Sequence, residues 1–145
     1  MLYDSLKIIH IISATCVLTS IVYSYHIWRS IQPSTLSTVF ERIQTQTLFV
    51  IIPFAIFQLA TGFTMISLKH YPVSEFWISG SIASFIVVIV SWLGFMYFLL
   101  LSQQATISVQ TPARFKIYRR IQTFFLLICA LGLLSMVFFM ANKTA

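Results

Sequence analysis

Residues Leu6 to Trp28 read LKIIHIISATCVLTSIVYSYHIW, an apolar run as long as a bilayer-crossing helix requires, about 20 residues. One histidine, His10, lies roughly one turn inside its start. An ionisable side chain in hydrocarbon is costly, so this imidazole is a functional candidate in its own right. At about 100° per residue, His10, Ser13, Ala14, Val17, Ser20, Ile21 and Ser24 share one face. That side of the helix is predicted to meet another helix or a ligand. Cys16, Thr19, Tyr23 and His26 form a second, weaker stripe. Small and hydroxylated residues also serve plain helix–helix packing, so both readings of the main stripe stand.

Composition sets the class. The chain has 145 residues, 59% of them hydrophobic and 8% charged, against about 25% charged in soluble domains. This is the balance of an integral membrane protein, and the length predicts one domain, residues 1–145. The net charge of +6 is spread around the apolar runs. It therefore reads as membrane topology and argues against a nucleic-acid partner. Cys16 and Cys129 both lie inside apolar runs, away from the aqueous loops where structural disulfides form. The first run is longer than a signal peptide's apolar region of about 7–15 residues, and no small-x-small cleavage site follows it, so it is expected to stay as a span.

The same pattern along the rest of the chain predicts an all-α, polytopic four-transmembrane-helix bundle, with spans at about residues 6–28, 47–68, 77–101 and 121–140. Trp28 and Arg29 mark the first boundary, and Gln32, Pro33 and Ser34 make a turn. Thr38, with Glu41 three positions later, resembles a capping box. It predicts a second helix that starts in water and enters the membrane near Thr47. Pro53 should bend that helix by removing a backbone donor and crowding the preceding turn. Gln58, Thr61, Gly62, Met65 and Lys69 share one of its faces. Tyr71-Pro72 ends it, leaving His70 at a helix end. In the third span Gly80, Ser84, Val87, Ser91 and Gly94 form a small-residue seam suited to close helix approach. Thr111-Pro112 predicts the next helix start, with threonine as N-cap and proline at the first helical position. Cys129, Gly132 and Met136 share a face of the fourth span, and the second and fourth helices are expected to extend into the cytoplasm. Arg29, Arg42, Arg114, Lys116, Arg119 and Arg120 fall on one side of the membrane, and Lys7, Lys69 and Lys143 on the other. The cation excess predicts that both termini lie outside the cytoplasm, in the periplasm if the membrane is a bacterial inner membrane.

That topology brings His10, Met65, His70, Met136 and Met140 to one level. Imidazole and thioether are ligands for haem iron and copper, and helix bundles build cofactor sites from facing helices. His10 and His70 are the candidate haem ligands; His10, Met65 and Met136 are the candidate copper ligands. Each has a plainer reading: methionines fill core gaps, and His70 and His26 suit the interface. His10 and His26 are about 24 Å apart along a helix and cannot share one metal. Three histidines are too few for a bis-histidine di-haem cytochrome. The acids are Asp4, Glu41 and Glu75, all near interfaces, and Asp4 is placed to pair with Lys7. No nucleophile elbow, phosphate loop or zinc spacing appears, and no carboxylate lies mid-membrane as a proton-coupled carrier would need. Gln58, the most polar mid-span group of the second helix, is expected to hydrogen-bond between helices.

LKIIHIISAT in the first helix, LATGF at Leu59–Phe63, FWISGSIASF opening the third span, RFKIYRR before the fourth and the closing FFMANK together resemble a family of bacterial four-span membrane proteins classed only as a domain of unknown function. The K-x-x-H start, Lys7 and His10, is similar to the first helix of HemJ-type protoporphyrinogen oxidases and CopD-type copper-resistance proteins. In the HemJ family the corresponding histidine is implicated in haem binding with a lysine on another helix. The likeness carries over to His10. The third helix here has no lysine, and Lys69 closes the second. What the resemblance implies is a haem b protein of the inner membrane with His10 as axial ligand, exchanging electrons with quinone or a membrane redox partner. Two further readings are a copper-handling protein, or a non-catalytic protein without cofactor that assembles with partners while His10 is hydrogen-bonded inside. The lipid bilayer is a partner in every case. Haem needs more room than so short a bundle offers unless helices splay or two chains share it, which adds a homo-oligomer to the expected partners.

Overall fold

The computed structural model describes residues 1–107 and 112–142. Among these the fold is all-α, with four stretches long and apolar enough to cross a membrane. Helical backbone is what hydrocarbon demands, because no water is present to satisfy exposed amides and carbonyls. The chain divides into two compact units, Met1–Pro72 and Val73–Ala145.

In the first unit α1 (Leu2–Arg29) packs on a second helical stretch made of α2 (Leu36–Gln46), a π-helical turn (Thr47–Ile51) and α3 (Ile52–Lys69). The buried residues of α1 are Ser13, Ser20, Ile21, Ser24 and Trp28, the main polar stripe of the sequence continued by one tryptophan. Leu36, Val39, Phe40 and Ile43 supply the apolar face of α2, while Glu41 and Arg42 are exposed. The capping box expected at Thr38 does not form. Helix α2 begins two residues earlier, after Thr35, whose hydroxyl is used in the preceding turn with the backbone of Gln32.

The bend expected at Pro53 is answered by the π turn just upstream. A wider turn accommodates the missing amide and the crowding that proline imposes on the residues before it. At the far end α3 closes at His70, which takes a left-handed conformation (φ 52°, ψ 33°). The amide of Tyr71 bonds the carbonyl of Ile66 and the amide of His70 bonds that of Ser67, 3.2 Å each. This is the Schellman closure that glycine usually provides; histidine is one of the few other residues tolerated there. Lys69 Nζ lies 4.7 Å from the centre of the Tyr3 ring, joining the two helices at this end. Asp4 is 3.3 Å from the Met1 amino group, the partner it takes in place of Lys7.

In the second unit α4 (Phe76–Ile107) packs along α5 (Pro112–Ala141). Both exceed the length a single crossing needs. Thr111 lies outside the described residues. The small-residue seam of α4 receives aromatic rings. A Cβ at Gly80 would stand 2.5 Å from Phe139 and one at Gly94 2.5 Å from Phe125. Gly132 on α5 reciprocates: its Cβ would come within 2.8 Å of Val88 and 3.4 Å of the Ser84 carbonyl oxygen. Gly80, Ala83, Gly132 and Ser135 border a groove of about 280 Å³ between the two helices. Valine is stiff at its first side-chain torsion, so Gly132→Ala should lower resistance to unfolding by about 1–3 kcal/mol, the usual cost of overpacking. Dodecyl sulfate titration of the purified protein, followed by circular dichroism, measures this; an unchanged midpoint would contradict the close approach.

Candidate functional site

His10 sits on the inner face of α1, partly buried, where α1 meets α3. The polar-and-small stripe of α3 supplies its surroundings: Gln58, Thr61 and Gly62 present one face towards it. A Cβ at Gly62 would lie 3.3 Å from His10 Cε1, so the bare backbone there seats the imidazole flush against α3.

Both ring nitrogens are engaged. Nε2 is 2.8 Å from the side-chain nitrogen of Gln58, and Nδ1 is 2.8 Å from the Thr61 hydroxyl. Directionality follows from one end of the chain. The Ser13 hydroxyl donates to Gln58 Oε1 at 2.7 Å and lies 2.9 Å from its own helix's carbonyl at His10. With Oε1 accepting from serine, the Gln58 side-chain nitrogen faces Nε2, an arrangement that suits a ring proton on Nδ1, facing Thr61 Oγ1. The Thr61 hydroxyl in turn donates to the Phe57 carbonyl at 2.8 Å and is 3.2 Å from that of Gln58. Each ring nitrogen and each hydroxyl of the cluster has a partner.

The other residues singled out in the sequence are distributed differently. Met65 is partly buried one turn beyond Thr61 on the same face of α3. His70 is exposed and serves the helix end, and His26 is exposed near the other end of α1. Met136 and Met140 belong to the second unit, Met136 partly buried and Met140 exposed. Cys129 is buried with its thiol 4.0 Å from the Val88 carbonyl, and both cysteines are free. No group of three or more His, Cys, Asp or Glu side chains placed to hold a metal ion occurs among the described residues.

A second buried polar pair is one that sequence reasoning misses. Gln122 on α5 donates to the Ser102 hydroxyl at 2.8 Å and to the Phe98 carbonyl at 3.1 Å. The available signal is a glutamine two residues after the last cation of RFKIYRR, at the threshold of the apolar run. It ties α4 to α5 as Gln58 ties α3 to α1.

A family model described as "Predicted integral membrane protein (DUF2269)" matches residues 4–144, and the chain belongs to that family. No curated protein and no solved structure matches it.

Gln58→Leu removes the amide on which both Ser13 and His10 depend. Its effect on stability should therefore be non-additive with that of His10→Ala, with a coupling between about 0.6 kcal/mol, the average for hydrogen bonds between membrane helices, and about 1.7 kcal/mol, the maximum. A double-mutant cycle by dodecyl sulfate titration measures it. Strict additivity would show that the two side chains do not touch.

Proposed function

We propose that this DUF2269 protein is a non-catalytic helix assembly of the bacterial inner membrane, with both termini periplasmic, in which His10 is a clamp between the first and second spans. The observation that carries this reading is the engagement of both imidazole nitrogens by α3. A histidine that ligates iron or copper must offer a ring lone pair. In the clamp the Nε2 lone pair is taken by the Gln58 amide, and Nδ1 gives its proton to Thr61. The residues around His10 do not fit an axial haem ligand as they stand. Partners are then met by outer surfaces, among them the groove bordered by Gly80, Ala83, Gly132 and Ser135.

A metal-binding reading has one observation in its favour: His10 and Met65 belong to the same hairpin, with Met65 one turn from the imidazole's seat. Imidazole with thioether suits Cu(I). It would require Gln58 to rotate away from Nε2, leaving the Ser13 hydroxyl to its own backbone carbonyl.

The test is the visible spectrum of the purified full-length protein, oxidised and dithionite-reduced, with copper analysis of the same sample, for wild type and His10→Ala. The clamp predicts a colourless protein without stoichiometric copper, from cells well supplied with haem and copper, and a less stable His10→Ala variant. A Soret band, or copper bound one per chain, that is lost in His10→Ala would overturn it.

A further inference from the structure

The face of α5 turned away from α4 carries a pattern that helix packing does not use. Gln122, Cys129 and Gly132 point at α4. On the opposite side, at spacings of three and four residues, lie Lys116, Arg120, Thr123, Leu127, Leu131, Leu134 and Phe138, all exposed. Arg119 flanks this track, and Arg114 precedes it by less than a turn. The first two turns of the track are cationic, Thr123 marks the boundary, and the rest is aliphatic or aromatic. The chain's acids are Asp4, Glu41 and Glu75, so none falls between Phe76 and the C-terminal Ala145.

We propose that this face binds one anionic glycerophospholipid of the adjoining leaflet, its phosphate held by Lys116 and Arg120 with Arg119 beside them and an acyl chain lying along Leu127, Leu131 and Leu134. Charge and length are both complementary. Basic residues at the end of a span attract anionic headgroups, and a guanidinium forks onto phosphate oxygens. From Arg120 to Leu134 the helix rises about 21 Å, close to half of the roughly 40–45 Å thickness of a bilayer with its headgroups. A lipid whose phosphate sits at Arg120 thus ends its chain near Leu134. Zwitterionic lipids share the acyl chain and the phosphate but carry a cation that this face repels. Thr123 adds no donor, since its hydroxyl proton is given to the Arg119 carbonyl at 2.8 Å.

The test is a native mass-spectrometry titration of the delipidated full-length protein in neutral detergent, with phosphatidylglycerol, phosphatidylcholine and inorganic phosphate added separately. Phosphatidylglycerol should bind at least about tenfold more tightly than phosphatidylcholine. The Lys116→Gln/Arg120→Gln pair should weaken it by roughly 25-fold, about fivefold for each charge removed, while Lys116→Arg/Arg120→Lys keeps it. In the wild type alone the preference should shrink as salt rises, so the proposal remains testable if the neutral pair does not fold. Equal binding of the two lipids, an unweakened neutral pair, or saturation by inorganic phosphate that blocks the lipid would overturn the proposal, the last by showing a free-anion site.

Discussion

In hydrocarbon a polar side chain has no water to return to, and the first hairpin of this protein is organised by that constraint. An imidazole, an amide and two hydroxyls are present where α1 crosses α3. They are tolerated because each of these side chains is hydrogen-bonded within the hairpin. The chain of contacts runs from Ser13 through Gln58, His10 and Thr61 to the Phe57 carbonyl. Removing any member strands a neighbour rather than deleting one bond. The cluster therefore behaves as a unit, and Gln58 carries as much weight in it as the histidine.

The backbone obeys the same constraint. Proline at position 53 would leave a carbonyl upstream crowded and short of its usual donor, and the π turn at Thr47–Ile51 absorbs the mismatch within a continuous helical stretch. At the other end of α3 the terminal carbonyls of Ile66 and Ser67 are met by the amides of Tyr71 and His70, at the cost of placing a histidine in the left-handed region. In the second hairpin the requirement is met by proximity. Glycines at positions 80, 94 and 132 let aromatic rings and a neighbouring backbone close in, and Gln122 with Ser102 satisfies the polar groups at the end of the crossing.

Much of this is legible in the sequence. The apolar runs and their lengths define four spans, because only helices of that length solve the backbone problem in a bilayer. The faces are legible too, since helical periodicity alone puts His10 with Ser13, Ser20 and Ser24, and Gln58 with Thr61 and Gly62. The engagement of one face by the other is not, because the register between α1 and α3 depends on how two helices slide to satisfy each other's polar groups. The S/T-x-x-E pattern at Thr38 misleads because a local motif competes with a turn that uses Thr35 instead. The seam from Gly80 to Gly94 reads as close helix approach; that Phe125 and Phe139 fill the space depends on residues of another helix, far along the chain. The K-x-x-H start singles out His10, and the structure seats that histidine against Gln58 and Thr61; no matching curated protein or solved structure shows a likeness to haem or copper proteins.

The proposed clamp has His10 neutral, protonated on Nδ1 and accepting at Nε2 from Gln58. Nitrogen-15 NMR of histidine-labelled protein in lipid bilayers at neutral pH reads this state without an intermediary, with the His10 signals assigned by their loss in His10→Ala. The hydrogen-bonded clamp predicts one protonated nitrogen, Nδ1, and one unprotonated but hydrogen-bonded nitrogen, Nε2, whose resonance moves in Gln58→Leu. A proton on Nε2, a metal-shifted resonance, or signals indifferent to Gln58→Leu would contradict it.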